Sequence, residues 1–258
     1  MKNKFNHELA VCGFAAVKAL AKMHANSITR LYFTAERAAE FGELCRSMAE
    51  RRAPYNMVQD PIELEKLCGS VHHQGVVAMI AQPEIPQLNT STVDQWVRQK
   101  QDALLLDRVG NANNLGAIIR SAAFFGVQNI IIPLSEAQSS ITTSSYRVAQ
   151  GGMEYVHIYS VKSIARLLAA VQGRMARIGT DLQATTPASQ IREKCNGKPA
   201  LLILGNEEKG ISAEVKRNCD ELVIIPFAGM ESGLSDAPVE SLNVAQASAV
   251  LLYECRKN

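Results

Sequence analysis

Three separated stretches of this chain join apolar, buried-type runs to glycine and to side chains that can donate, accept or carry charge. The first is Asp107-Arg108-Val109-Gly110-Asn111-Ala112-Asn113-Asn114-Leu115-Gly116-Ala117-Ile118-Ile119-Arg120. The second is Leu202-Ile203-Leu204-Gly205-Asn206-Glu207-Glu208-Lys209-Gly210-Ile211-Ser212. The third begins Ile224-Ile225-Pro226-Phe227-Ala228-Gly229 and resumes at Glu240-Ser241-Leu242-Asn243-Val244-Ala245. Each places glycine or asparagine at the C-terminal end of an expected strand, the edge where open α/β sheets bind ligands. Glycine lets a ligand approach the backbone closely. Asn114 lies near an expected helix start, and Arg120, six residues on, faces either the same cleft or solvent. Ser241 and Asn243 sit at or just inside the start of the last helix, where donors can meet an anion or a hydroxyl. Taken singly, each has a plain reading. Asn114 is a helix cap, Arg120 a solvated charge, Glu207 a loop acid, and Ser241 and Asn243 helix-start chemistry. Their joint order makes them candidates.

Other chemistries fit the residues less well. Gly205 to Ser212 resembles a phosphate-binding loop, but such a loop needs lysine after its second glycine, where Ile211 stands. No G-x-G-x-x-G follows any expected strand, so a dinucleotide site lacks its fingerprint. The glycine-rich loop of open-sheet methyltransferases is also missing, so a nucleoside-type cofactor would need another backbone device. There is no G-x-S-x-G elbow, and His72, His73 and His157 have no patterned nucleophile. The six cysteines form no C-x-x-C pair and the histidines have no metal-ligand spacing, so no metal is expected and the thiols are expected to be free.

Elements that could position the three stretches alternate along the chain. Phe14, Val17, Leu20 and Ala21 recur at helical spacing, Ile28 to Phe33 reads as a strand, and Phe41, Leu44, Cys45 and Met48 share a helix face. Tyr55 to Gln59 is a possible strand, Asp60-Pro61-Ile62-Glu63 a helix start, and Gly75 to Ala81 a strand. Residues 1–82 thus form a small α/β domain. Residues 83–92, with two prolines, read as a linker. Residues 93–258 form the second domain. There a short helix containing Trp96 precedes a strand at Ala103–Leu106, a helix at Asn114–Phe125 capped by Gly126, and a strand at Asn129–Ile132. A helix at Ser163–Val171, strands at Ala200–Leu204 and Leu222–Ile225, and a helix at Glu240–Cys255 follow. Continuous apolar strands alternating with helices imply a parallel sheet covered on both faces.

Of 258 residues, 47% are hydrophobic and 20% charged, with net charge +2, which suits a globular protein with two cores. A split at Ile85 leaves roughly +1 on each side. An RNA-binding role would therefore need a local patch. The N-terminal stretch lacks an apolar core with a small-residue cleavage site, and no run reaches the ~18 apolar residues of a membrane span. A cytoplasmic location without membrane contact is expected.

The three stretches resemble the signature motifs of the TrmH/SpoU family of the SPOUT superfamily, RNA 2′-O-ribose methyltransferases. The resemblance covers residues 103 to 256, and the first section is similar to the family's N-terminal RNA substrate-binding domain, with Gly13 at a helix entry and His73-Gln74-Gly75-Val76 ahead of a strand. The likeness is greatest to members that modify large-subunit ribosomal RNA. It implies a C-terminal SPOUT domain that threads a deep trefoil knot, homodimerisation through that domain, S-adenosylmethionine as cofactor, and structured RNA, ribosomal or transfer, as partner. It matches Gly205, Ile225 and Leu242 to cofactor contacts. It matches Asn114, Arg120, Glu207, Ser241 and Asn243 to the polar active-site set. The chain departs from the family at Ala112, where proline is usual, and in Met230 to Glu240, which lengthens a gap of about three residues in the family. Two other classes remain open: a non-catalytic RNA-binding protein with a degenerate knot, and a small-molecule enzyme with an open nucleotide fold.

Overall fold

The computed structural model describes residues 8–134, 138–206, 208–228, 239 and 241–257. The chain forms two compact units, one of Met1–Glu84 with Ser140–Tyr155, the other of Ile85–Ser139 with Val156–Asn258.

The first unit is built on a four-stranded sheet of order β1-β4-β2-β3, with β1 (Glu8–Cys12), β2 (Ile28–Thr34), β3 (Tyr55–Val58) and β4 (Val76–Ala81). β4 runs antiparallel to β1 and β2, and β3 runs parallel to β2. The helices are α1 (Phe14–His24), α2 (Gly42–Glu50) and α3 (Pro61–Cys68). The Asp60 carboxylate accepts the Ile62 N–H and caps α3, and Gly69 ends it in the left-handed conformation. Leu64 and Cys68 of α3 join Ala10, Cys12, Val58, Val77 and Met79 in one apolar cluster.

Residues 140–155 also belong to this unit. α6 (Thr143–Ala149) packs on β1, and a short 3-10 helix (Gly152–Tyr155) packs on α1. Gly151 permits that approach. At φ +91°, a Cβ there would fall 2.8 Å from Ala19 Cβ and 3.0 Å from the Ala15 carbonyl oxygen.

The second unit is a seven-stranded, wholly parallel sheet of order β7-β6-β5-β10-β8-β11-β9. Its strands are β5 (Ala103–Leu106), β6 (Asn129–Pro133), β7 (His157–Val161), β8 (Ala176–Thr180), β9 (Thr186–Pro187), β10 (Ala200–Leu204) and β11 (Glu221–Ile224). Its helices are α4 (Thr90–Gln99), α5 (Ala112–Phe125), α7 (Ile164–Val171), α8 (Ile191–Cys195), α9 (Ala213–Arg217) and α10 (Val244–Arg256). Every residue of β5 and β10 is buried, which explains why both read as unbroken apolar runs. One face of the sheet packs Leu105, Ile131, Leu201 and Ile203 against Val93, Trp96, Leu168 and Val215. Removing a side chain of this kind to alanine costs about 2–5 kcal/mol. On the other face α5 packs along α10. Pro86, Gln87 and Leu88 lie along β7, where the Ser160 N–H donates to the Pro86 carbonyl and the Leu88 N–H to the Ser160 carbonyl.

The helix starts differ from the sequence expectation. Asn111, not Asn114, caps α5, accepting the N–H groups of Asn113 and Asn114. The last helix begins at Val244 rather than Glu240, because the Asn243 side chain accepts the Ala245 N–H and fixes the cap there. Ser241 therefore precedes α10 instead of lying inside it. Glu207 and residues 229–238 and 240 lie outside the described residues.

Candidate active site

Parallel strands end at one edge of their sheet, and the three motif loops leave there. Asp107 follows β5, Gly205 follows β10 and Ile225 follows β11. β10 and β11 flank β8, so Gly205 and Ile225 are separated by about 10 Å of sheet.

A polar clamp joins the first two loops. The Asp107 carboxylate, only 2% exposed as a residue, accepts the Ser212 N–H at 2.8 Å and the Arg108 Nε–H at 2.9 Å. Arg108 also donates through Nη2 to the Gly210 carbonyl at 3.4 Å. The Asn206 side-chain amide donates to the Arg108 carbonyl at 3.1 Å, while its oxygen accepts the N–H groups of Glu208 and Lys209. Asn206 and Gly210 exchange backbone hydrogen bonds at 3.1 and 2.9 Å, closing the second loop on itself. Arg108 is held at φ +64°, a conformation that costs a non-glycine residue about 1 kcal/mol or more. The bond to Asp107 holds the guanidinium proton more tightly than usual.

Gly205 has a specific steric cause. A Cβ there would fall 2.1 Å from the Gly210 carbonyl carbon and 2.2 Å from the Ile211 nitrogen. The close approach at Gly205 is that of the loop's own returning backbone at Gly210 and Ile211. Asp107, Arg108, Asn206 and Ser212 were not singled out by sequence reasoning. An acid directly after an apolar strand was the only available signal.

The structure brings two of the polar candidates together. The Asn243 amide donates to the Asn114 side-chain oxygen at 3.2 Å, linking the start of α10 to the first turn of α5. The Arg120 residue is exposed, and its side chain has no hydrogen bond or ion pair among the described residues. Six residues of helix set it about 120° round from Asn114. It shares a face with Phe124, one turn on, which is 80% exposed. Ser241 and Leu242 are exposed just before α10.

Half-buried Ile225 and exposed Leu242 present apolar surface beyond the end of β11 and before α10, and Arg108 is tied to Asp107. Among the described residues there is no group of three or more histidine, cysteine, aspartate or glutamate residues able to hold a metal ion, and no helix long and apolar enough to cross a membrane.

Comparison with known proteins decides the family. The model of the SpoU rRNA methylase family matches residues 102–253, and the model described as RNA 2′-O ribose methyltransferase substrate binding matches residues 10–86. The chain belongs to the SpoU rRNA methylase family. It is 36% identical over 199 residues to the 23S rRNA (guanosine-2′-O-)-methyltransferase RlmB of Acinetobacter baylyi, covering 75% of each chain. To the protein of the same name from Ralstonia nicotianae it is 34% identical over 244 residues, 94% of this chain and 92% of that one. Its fold matches the SpoU methyltransferase AviRb of Streptomyces viridochromogenes in complex with AdoMet, with TM-score 0.73 and 24% identity, over 97% of this chain and 90% of that one. The protein is accordingly an RNA ribose 2′-O-methyltransferase that depends on S-adenosylmethionine, on a SPOUT-type α/β fold with a small substrate-binding domain ahead of it.

Proposed function

We propose that this SpoU-family protein methylates the 2′-hydroxyl of a guanosine in large-subunit ribosomal RNA. The substrate is supported by the relatives named above, which are 34–36% identical and carry that activity in their names. The site is supported above all by the Asn243–Asn114 bond, which joins two of the polar candidates across α5 and α10.

S-adenosylmethionine, when bound, supplies the electrophilic methyl group. Gly205, Ile225 and Leu242 would hold it at the C-terminal edge of the sheet. The remaining task of the protein is to align the ribose oxygen and ease loss of its proton. Arg120 would clamp an RNA phosphate, since the planar fork of a guanidinium matches phosphate oxygens. Asn114 and Ser241 would orient the hydroxyl, and Asn243 would brace Asn114. Glu207, by family resemblance, would brace its loop.

The wider arrangement follows the same reading. Residues 1–82 would supply RNA affinity and residues 93–258 catalysis, with residues 83–92 between them. The C-terminal chain would thread the family's deep trefoil knot, consistent with the clamping of loop 205–212 onto Asp107 and Arg108. Two copies would pair through the face carrying Phe124 and Tyr253, 80% and 52% exposed, with Phe125 between them in ring contact with both. Arg120 would then stand at the rim of that interface. Sedimentation as a single copy at micromolar concentration would contradict the pairing. Six free thiols suit the reducing cytoplasm as the place of action.

The test is single-turnover methyl transfer to ribosomal RNA from cells lacking the enzyme. Arg120→Ala should lower the rate at least ~100-fold while leaving cofactor affinity intact, the scale of a lost positioning group. A rate near wild type would return Arg120 to the role of a solvated charge.

A further inference from the structure

The sequence motif His73-Gln74-Gly75 and the helix entry at Gly13 have no part in the site above, yet they form an unusually constrained piece of the first unit. Gly13, Gln74 and Gly75 all have positive φ, at 98°, 53° and 80°. Left-handed geometry is unfavourable for glutamine, and such outliers persist where surrounding bonds enforce them. Here they do. The Gly13 N–H donates to the His73 carbonyl at 3.2 Å, and the Phe14 N–H to Gln74 Oε1 at 2.8 Å. The Gly75 N–H donates to His73 Nδ1 at 3.1 Å, which leaves Nε2 as the protonated ring nitrogen.

The outcome of this stitching is the placement of Arg37. Its Nε–H donates to the Gln74 carbonyl at 3.0 Å, and its guanidinium lies 4.4 Å from the centroid of the Phe14 ring. Gly75 makes room for it, because a Cβ there would fall 3.1 Å from Arg37 Cγ and 2.8 Å from Thr34 Oγ1. The two terminal nitrogens of Arg37 have no hydrogen-bond partner among the described residues. Lys18 Nζ lies 5.2 Å from the same ring centroid and pairs with Glu40 at 3.2 Å, so that acid is neutralised. Glu36 is the exposed acid next in sequence.

We propose that Arg37, stacked on Phe14 and bonded through Nε to the Gln74 carbonyl, is a contact of the first unit for a phosphodiester of the substrate RNA. The inference rests on the proposed role of this unit in RNA affinity and names the face that carries it. A guanidinium fixed by stacking and by Nε presents its remaining fork ready for two phosphate oxygens, and little side-chain freedom is lost when they bind. The Nε2 of His73 adds a further donor on the same loop. RNA fits better than an acidic protein segment. The domain model over residues 10–86 describes RNA methyltransferase substrate binding, and the fork's planarity selects phosphate geometry.

The test uses the full-length protein and deproteinised 23S ribosomal RNA, with affinity measured at several salt concentrations. Arg37→Gln should raise the Kd about tenfold and reduce the slope of log K against log salt by about one, as expected for one lost phosphate contact. Arg37→Lys should restore the slope but not the full affinity. Phe14→Leu, which keeps apolar volume and removes the ring, should weaken binding about threefold, the scale of a lost cation–π contact. Cofactor affinity should be unchanged in all three. A lowered melting temperature with wild-type RNA affinity and salt slope would assign the stacked pair a structural role and overturn the proposal. If that result came with a large loss of transfer in Arg120→Ala, only this face would fall and the catalytic reading would stand.

Discussion

Asn243 is at once the cap of the last helix and the partner of Asn114: its oxygen accepts the Ala245 N–H at 2.8 Å and its amide donates to Asn114 at 3.2 Å. The two roles separate by substitution. Asn243→Ser keeps a good cap but is too short to reach Asn114, so stability should change by less than ~0.5 kcal/mol. Single-turnover methyl transfer should nevertheless fall at least ~10-fold, because Asn114 loses its brace. Asn243→Ala should lose both functions, with a further ~1 kcal/mol of stability. Full activity in the serine variant would separate the pair from the reaction.

The Asp107 clamp should matter to the cofactor before it matters to RNA. Asp107→Ala strands the Ser212 N–H and the Arg108 guanidinium, which should cost about 2–3 kcal/mol of stability. Arg108→Gly is the more informative variant, since glycine accepts φ +64° without strain and only the guanidinium is lost. Titration calorimetry should show the affinity of Arg108→Gly for S-adenosylmethionine reduced ~10-fold, an effect near 1.4 kcal/mol. Unchanged cofactor affinity with a folded variant would detach the clamp from the binding loops.

Stability at acid pH should carry the signature of Asp220. Its carboxylate accepts three bonds from Arg177, from the backbone N–H at 2.9 Å, Nε at 3.0 Å and Nη2 at 2.5 Å, and these hold its pKa below the ordinary aspartate value. A depressed folded-state pKa means stability that is present above about pH 4 and lost as pH falls through the folded value. Asp220→Asn should flatten the melting temperature against pH below about 4 and lower it at pH 7. The Asp220 side chain is 42% exposed, so screening limits the loss at pH 7 to about 1–2 kcal/mol although Arg177 is buried. An unchanged acid profile in the variant would show that the ion pair contributes nothing.

The elements that are buried on both sides were plain in the sequence, and the ones set by tertiary geometry were not. β5 and β10 read directly because every side chain in them is apolar and buried, and Gly126 announced the end of α5. Asn111, Asn113 and Asn114 are all chemically able to cap a helix. The choice of Asn111 leaves the side chain of Asn114 to pair with a residue 129 positions away. Periodicity likewise carried the last helix back to Glu240, whereas the Asn243 cap places its start at Val244. Gly205 stands out in the sequence for the close approach glycine permits, and the backbone of Gly210–Ile211 makes such an approach. The packing of residues 140–155 against β1 and α1 depends on contacts across more than 100 residues of sequence, which local pattern does not encode.

The most direct measurement is of the product itself. Purified protein would be incubated with isotopically labelled S-adenosylmethionine and 23S ribosomal RNA from cells lacking the enzyme, and the RNA digested to nucleosides for mass spectrometry. Label is expected on the ribose of one guanosine, and a parallel alkaline hydrolysate should contain one labelled dinucleotide that resists cleavage because its 2′-hydroxyl is blocked. The account predicts the loss of that label in Arg120→Ala at matched protein and cofactor. Label on a nucleobase, or no transfer by a protein that binds both cofactor and RNA, would contradict it.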